Sequence, residues 1–242
     1  MQSVSPQYEA EEKITVNGNV DLYAVVFNRT TETDLTEDQL PQVDIYKYKQ
    51  VIFVGDSRTE FMENVLTGMG ESATKNVKFV CSAGKGLDWF TTTGWAQLYS
   101  IVQHDSNSIL SKKTAVIFNF GVNDLSKSAD YAEYYNWIAP QLKSKGCELY
   151  FMSVNPVNRL MLSNAGRADR SEAAVRSFNQ YMKANLSSAY TYIDMYSYLK
   201  STGYSFASDH YGTGTVDDGL HYTTRTYKRI FAKCMDSLRV PA

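Results

Sequence analysis

Val51-Ile52-Phe53-Val54-Gly55-Asp56-Ser57-Arg58-Thr59-Glu60 passes from strand to helix within one short stretch. Four apolar, mostly β-branched residues in a row read as a fully buried strand. Gly55 ends the run, and Asp56 or Ser57 is suited to cap a helix beginning near Arg58. The Ser57 hydroxyl then stands at the carboxyl end of a strand and the amino end of a helix. In an open α/β sheet that rim is where ligands bind. The helix end adds unpaired N–H groups and a partial positive charge. A serine there is placed to act as a nucleophile with its own N–H facing a developing oxyanion. Taken alone, the stretch serves equally well as a junction whose serine merely caps; the blocks downstream decide.

Strand and helix signals alternate beyond it. Thr59–Leu66 reads as a short helix ending toward Gly68. Val77–Cys81 is a second strand, running into the loop Ser82-Ala83-Gly84-Lys85-Gly86. Ala115–Phe120 is a third, ending at Gly121-Val122-Asn123-Asp124. Tyr131–Lys145 has helical spacing and stops at Gly146. Glu148–Val154 is a fourth strand, broken at Asn155-Pro156. Arg170–Leu186 reads as an amphipathic helix and Thr191–Ile193 as a short fifth strand. Residues 201–217 form a polar loop, and Thr223–Leu238 a closing helix. The alternation predicts an α/β fold with a parallel sheet covered by helices on both faces.

Residues 1–41 differ. Ile14–Phe27 reads as two short strands around Asn17-Gly18, a hairpin-type turn. A polar, acidic stretch then reaches Pro41, which places a boundary near Gln42. The expected division is an N-terminal β segment and linker, 1–41, and a main domain, 42–242. Ile14–Val26 resembles the terminal strands of small β-repeats, of the internalin B-repeat type, in bacterial surface proteins. A hairpin packed on the main domain is the other reading.

At 242 residues the chain can bury one sizeable core. A formal net charge of −2 gives no electrostatic reason to expect nucleic acid or an anionic membrane as partner. Cys81, Cys147 and Cys234 are an odd number without metal-type spacing and read as free thiols. His104, His210 and His221 are scattered, so no metal and no cofactor is expected. No apolar run is long enough to span a membrane, and the N-terminus lacks the regions of a signal peptide.

Four blocks fall on loops at one rim of the expected sheet: Gly55-Asp56-Ser57, Gly84-Lys85-Gly86, Gly121-Val122-Asn123-Asp124 and Asp218-Gly219-Leu220-His221. Each supplies something acyl transfer needs. A serine hydroxyl needs a base to take its proton, and His221 can be that base. Asp218, three residues earlier, can bond the other imidazole nitrogen and fix its tautomer. The Ser57 N–H, a glycine N–H and the Asn123 amide can surround the oxyanion of a tetrahedral intermediate. Each block is a weak signal singly; their joint occurrence in this order is strong.

From about Val51 to Leu238 the pattern resembles the SGNH family, also called GDSL-type esterases and lipases. The resemblance implies a flavodoxin-like three-layer α/β/α fold with a central five-stranded parallel sheet. It maps the nucleophile onto Ser57, the oxyanion amide onto Asn123, the base onto His221 and its orienting acid onto Asp218. The oxyanion glycine falls on Gly86, with Gly84 as the alternative. Arg58 departs from the family's wording, where an uncharged residue is usual. A cation there opposes the helix dipole, so Arg58 is either solvated or paired with Asp56, Glu60 or Asp124, or it helps position a polar or anionic part of the substrate. Trp89 is core or a lining for sugar or acyl group, and Asn155 is placed to line the same cleft.

The expected activity is a serine ester hydrolase working through an acyl-enzyme on short-chain, acetyl esters of carbohydrate. Acyl transfer to a sugar hydroxyl, a lipid esterase or lysophospholipase, and a non-catalytic surface-binding module are the rivals. The expected partner is a small-molecule or polysaccharide ester. The family resemblance and the repeat-like tail point to an extracellular or cell-surface address, with attachment through other domains.

Overall fold

β1 (Tyr48–Gly55) lies at the centre of the architecture, and its four apolar residues Val51–Val54 are all buried. The computed structural model describes residues 34–43, 47–105, 113–167, 169–214 and 216–238; the hairpin expected over Ile14–Phe27 lies outside them. β2 (Val77–Cys81) pairs with one edge of β1 and β3 (Lys113–Asn119) with the other. β4 (Cys147–Met152) and β5 (Tyr190–Ile193) continue beyond β3. All pairs are parallel, in the order β2-β1-β3-β4-β5.

Alternate residues of each strand enter opposite cores, as the two-residue period of a strand requires. Ile52, Val54, Val116, Phe118, Leu149 and Phe151 face one. Val51, Phe53, Ala115, Ile117, Tyr150 and Met152 face the other. α3 (Trp95–Asp105), α4 (Ser128–Ser144) and α6 (Glu172–Asn185) cover the first face. α1 (Ser57–Met69), α7 (Met195–Thr202) and α8 (Thr224–Ser237) cover the second. Each fully buried Val, Leu, Ile or Phe contributes roughly 1.5–3 kcal/mol, and both faces are lined with them. The result is the three-layer α/β/α arrangement with five parallel strands.

The chain leaves β1 toward β2 on one side and returns to β3 on the other. Such a reversal opens a crevice at the carboxyl ends of the two strands. Register brings Gly55, Cys81 and Asn119 level across β1, β2 and β3. The loops that follow them therefore start side by side, strand axes being about 4.8 Å apart.

Some elements depart from the sequence expectations. α2 (Leu87–Trp89), a π turn (Phe90–Gly94) and α3 follow one another without a break. α5 (Arg159–Asn164) and α7 are further helices that the sequence reading leaves unassigned. Residues 34–43 lie against the main body: Leu40 and Val43 are buried in the second core, and Asp34 pairs with Lys228 at 3.0 Å. Packing on the main body thus begins upstream of Gln42. Cys81, Cys147 and Cys234 are free thiols. Among the described residues no helix is long and apolar enough to cross a membrane, and no group of His, Cys, Asp and Glu is arranged to hold a metal.

Candidate active site

α1 begins at Ser57 because Asp56 caps it: the Asp56 carboxylate accepts the Arg58 N–H at 3.0 Å. Burial pushes the Asp56 carboxyl up to about 6, against the pull of the nearby Arg58 guanidinium and of that hydrogen bond. Ser57 Oγ lies 2.9 Å from His221 Nε2, a partner 164 residues downstream. His221 Nδ1 lies 2.6 Å from Asp218 Oδ2. The other carboxylate oxygen of Asp218 accepts the backbone N–H groups of Leu220 at 2.9 Å and His221 at 2.8 Å. Burial alone would raise the Asp218 carboxyl, but the bonds from the His221 ring and from both N–H groups hold it below its ordinary value. An ionised Asp218 keeps the proton on Nδ1 and leaves Nε2 to accept from the serine. Asp217 turns elsewhere, accepting the Gly219 N–H at 2.7 Å and the Asn158 side-chain amide at 3.0 Å.

Phe61 completes the setting of the base. It lies one helical turn after Ser57, on the same face of α1. Its ring stacks on the His221 imidazole with centroids 4.3 Å apart, and the His210 ring lies 4.4 Å from the same phenyl. The sequence reading passed over Phe61, although its spacing from Ser57 was a usable signal.

The second and third blocks are joined to each other. Asn123 donates from Nδ2 to the Lys85 carbonyl at 2.7 Å. Asp124 accepts the Leu87 N–H at 2.9 Å and the Tyr131 hydroxyl at 2.7 Å. Gly86 sits so close under this carboxylate that a Cβ on it would meet Asp124 Oδ2 at 2.3 Å. Gly84 faces open space. Gly86, not Gly84, is therefore the glycine held against the Asn123–Asp124 corner. Gly121 turns that corner with φ +130, a conformation open to glycine, and a Cβ there would strike Phe178.

The three residues expected to touch substrate are placed differently. Arg58 is 3% exposed and turned inward. Its guanidinium donates to the carbonyls of Leu220, Asn155 and Pro156, each at 2.9 Å. Those bonds explain how a cation survives in the first turn of α1, and they correct all the expectations for it: the Arg58 guanidinium is neither solvated nor hydrogen-bonded to Asp56, Glu60 or Asp124, and it is turned away from substrate. Asn155 is 1% exposed and offers its backbone carbonyl to Arg58, so it is wall rather than lining. Trp89 is half-buried, packed on the first core with its ring 6.1 Å from Phe120 and against Gly94.

Comparison with known proteins agrees with this geometry. A profile of the GDSL-like Lipase/Acylhydrolase family matches residues 51–234. Among curated proteins none matches the chain. Among solved structures, a protein described as an SGNH hydrolase from Slackia heliotrinireducens superposes with a TM-score of 0.56 at 13% identity, over 80% of this chain and 100% of that one. An acylhydrolase-type protein from Bacteroides fragilis gives 0.53 at 16% identity, over 83% and 92%. The acetyl xylan esterase AlAXEase gives 0.50 at 12%, over 78% and 100%. At these identities the superpositions speak for the fold, while the profile spans all four blocks from the strand before Ser57 to the helix behind His221. On that span the chain belongs to the GDSL-like lipase/acylhydrolase family of SGNH esterases.

Proposed function

We propose that the chain hydrolyses short-chain esters, acetyl groups on carbohydrate foremost, through an acyl-enzyme on Ser57. The observation that carries this is the unbroken relay from Ser57 Oγ through His221 to Asp218. Ser57 Oγ attacks the ester carbonyl while Nε2 of His221 takes its proton. The Ser57 N–H, the Gly86 N–H and the Asn123 amide surround the oxyanion. His221 then returns the proton to the departing alcohol oxygen. Water, deprotonated by the same nitrogen, attacks the acyl carbonyl; the Ser57 Oγ–acyl bond breaks, His221 returns the proton to Oγ, and the acid is released. Support for a sugar ester lies in the polar rim, where Lys85, beside Asn123, and His210, beside Phe61, are exposed. The fold shared with an acetyl xylan esterase is compatible with it. A glycan at the cell surface is the partner this reading favours, and an extracellular address goes with it.

A lipid or longer acyl ester is the second reading, favoured by two exposed aliphatic side chains. Val216, beside Asp217, is 62% exposed, and Leu160, in the helix that packs on Gly219, is 68% exposed.

The test has two parts. A fluorophosphonate should label the chain, and Ser57→Ala should abolish labelling and nearly all turnover. Nitrophenyl acetate should then exceed the octanoate in kcat/KM, with acetate released from at least one acetylated glycan. Methylenes bury at roughly 0.8 kcal/mol each in an acyl pocket. A steady rise toward octanoate with no glycan deacetylated would select the lipid reading.

A further inference from the structure

We infer that Arg58 is a positioning residue that sets the distance between nucleophile and base; the inference rests on the esterase reading above only for its kinetic consequences. Arg58 is covalently next to Ser57. Its Nε donates to the carbonyl of Leu220, the residue directly before His221. Its two terminal nitrogens donate to Asn155 and Pro156, in the segment that follows β4. One planar group thus ties together the helix that carries the nucleophile, the loop that carries the base and the wall between them.

The clamp is braced. Tyr222, directly after His221, lies under the guanidinium, 5.1 Å from ring centroid to Cζ, and donates its hydroxyl to the Pro156 carbonyl. Among the described residues no carboxylate bonds the guanidinium, so all three of these bonds go to backbone carbonyls of the site's own loops. Asp56, the cap of the same helix, supplies the nearby negative charge. Guanidinium suits the task because its N–H groups diverge in a fixed plane and meet three carbonyls at once; an ammonium on a flexible stem cannot hold that geometry. An aliphatic residue at this position would remove the Arg58 donor from the Leu220 and Asn155 carbonyls, while Pro156 keeps the Tyr222 hydroxyl. The loop bearing His221 would keep its backbone bonds from Ala207 to the His221 carbonyl and from Asn158 to the Gly219 carbonyl, both at 2.9 Å, and the Tyr222 bond to Pro156, but lose its direct tie to the helix that carries Ser57.

Arg58→Met and Arg58→Lys in the full chain test this. A misplacement of about 1 Å costs on the order of 10²-fold in rate. Arg58→Met should therefore lower kcat for nitrophenyl acetate by about that factor while KM stays within threefold. Arg58→Lys should recover part of the loss, because the ammonium reaches at least one carbonyl. Crystal structures of the variants should show Ser57 Oγ and His221 Nε2 beyond hydrogen-bond distance, against 2.9 Å here. A folded variant with lowered melting temperature but unchanged kcat overturns the inference. So does a rise in KM at constant kcat, which would return Arg58 to substrate contact. If Arg58→Met does not fold, Arg58→Lys decides alone, with kcat reduced at constant KM expected. The interatomic distance needs no turnover. A parent chain inert toward esters and fluorophosphonate would sink the esterase reading, and the distance would still decide the clamp.

Discussion

Asp217 and Asp218 are adjacent carboxylates with different partners, and the difference is open to measurement. Asp218→Asn presents an amide to Nδ1 and favours the wrong tautomer, so kcat should fall by roughly 10⁴-fold. Asp217→Asn keeps an acceptor for the Gly219 N–H and should leave kcat within an order of magnitude. Steady-state kinetics of the pair would refute the assignment if the severities were reversed. If the Asn123 amide is an oxyanion donor as proposed, Asn123→Ala should cost roughly 10²–10³-fold in kcat, with KM little changed. A loss confined to KM would move Asn123 into substrate binding. Ser57, Asp218 and His221, which the fold brings into one hydrogen-bonded row, could be singled out from sequence because acyl transfer accepts few residue types in such roles, and Asn123 was singled out on the same ground. Arg58 could be noticed but not read. Sequence gives its charge, whereas its role depends on three carbonyls from distant loops converging on one point.

At the scale of elements, the loop after β2 turns on Gly86. Gly86→Ala would drive a methyl group into the Asp124 carboxylate. Overpacking of this kind costs about 1–3 kcal/mol, and the displaced loop carries the expected oxyanion N–H. Both melting temperature and kcat should fall. Gly84→Ala adds a methyl at φ +69 in open space; it should cost about 1 kcal/mol of strain and spare kcat. Unfolding curves with nitrophenyl acetate kinetics separate the two, and a larger kcat loss for Gly84→Ala would reverse the choice of glycine. The strands were legible because apolar β-branched runs between turns leave little else to fit. The helix from Leu87 onward was not. Its buried positions Leu87, Phe90, Gly94, Leu98 and Val102 advance mostly by four. That stripe would drift around a helix of about 3.6 residues per turn, and the π turn takes up the drift. Three threonines, Thr91–Thr93, also lower the local helix preference.

For the whole molecule, the alternation of strand and helix was sufficient to predict the layered architecture, since parallel strands must be crossed by something that covers a face. The docking of residues 34–43 was not legible, because Leu40 and Val43 are isolated apolar residues in a polar stretch whose burial depends on α1 and α8 being in place. Stability against pH tests the buried charge at the centre. The Asp56 carboxyl is raised from its ordinary 3.8 to about 6 in the folded chain. The folded state therefore binds that proton more tightly than the unfolded state. Its contribution is fully present below the ordinary value and is lost as pH rises through about 6. Asp56→Asn keeps a capping oxygen and should flatten the decline in melting temperature between pH 4 and pH 7; an unchanged slope would refute the assignment. The separation of Ser57 from its base by 164 residues has a consequence in time. A ribosome adding roughly 5–20 residues per second needs on the order of ten to thirty seconds to travel from one to the other. Throughout that interval the nascent chain carries its serine without a base to activate it. Reactivity toward esters would begin only when the segment bearing His221 has been made and has closed over the rest.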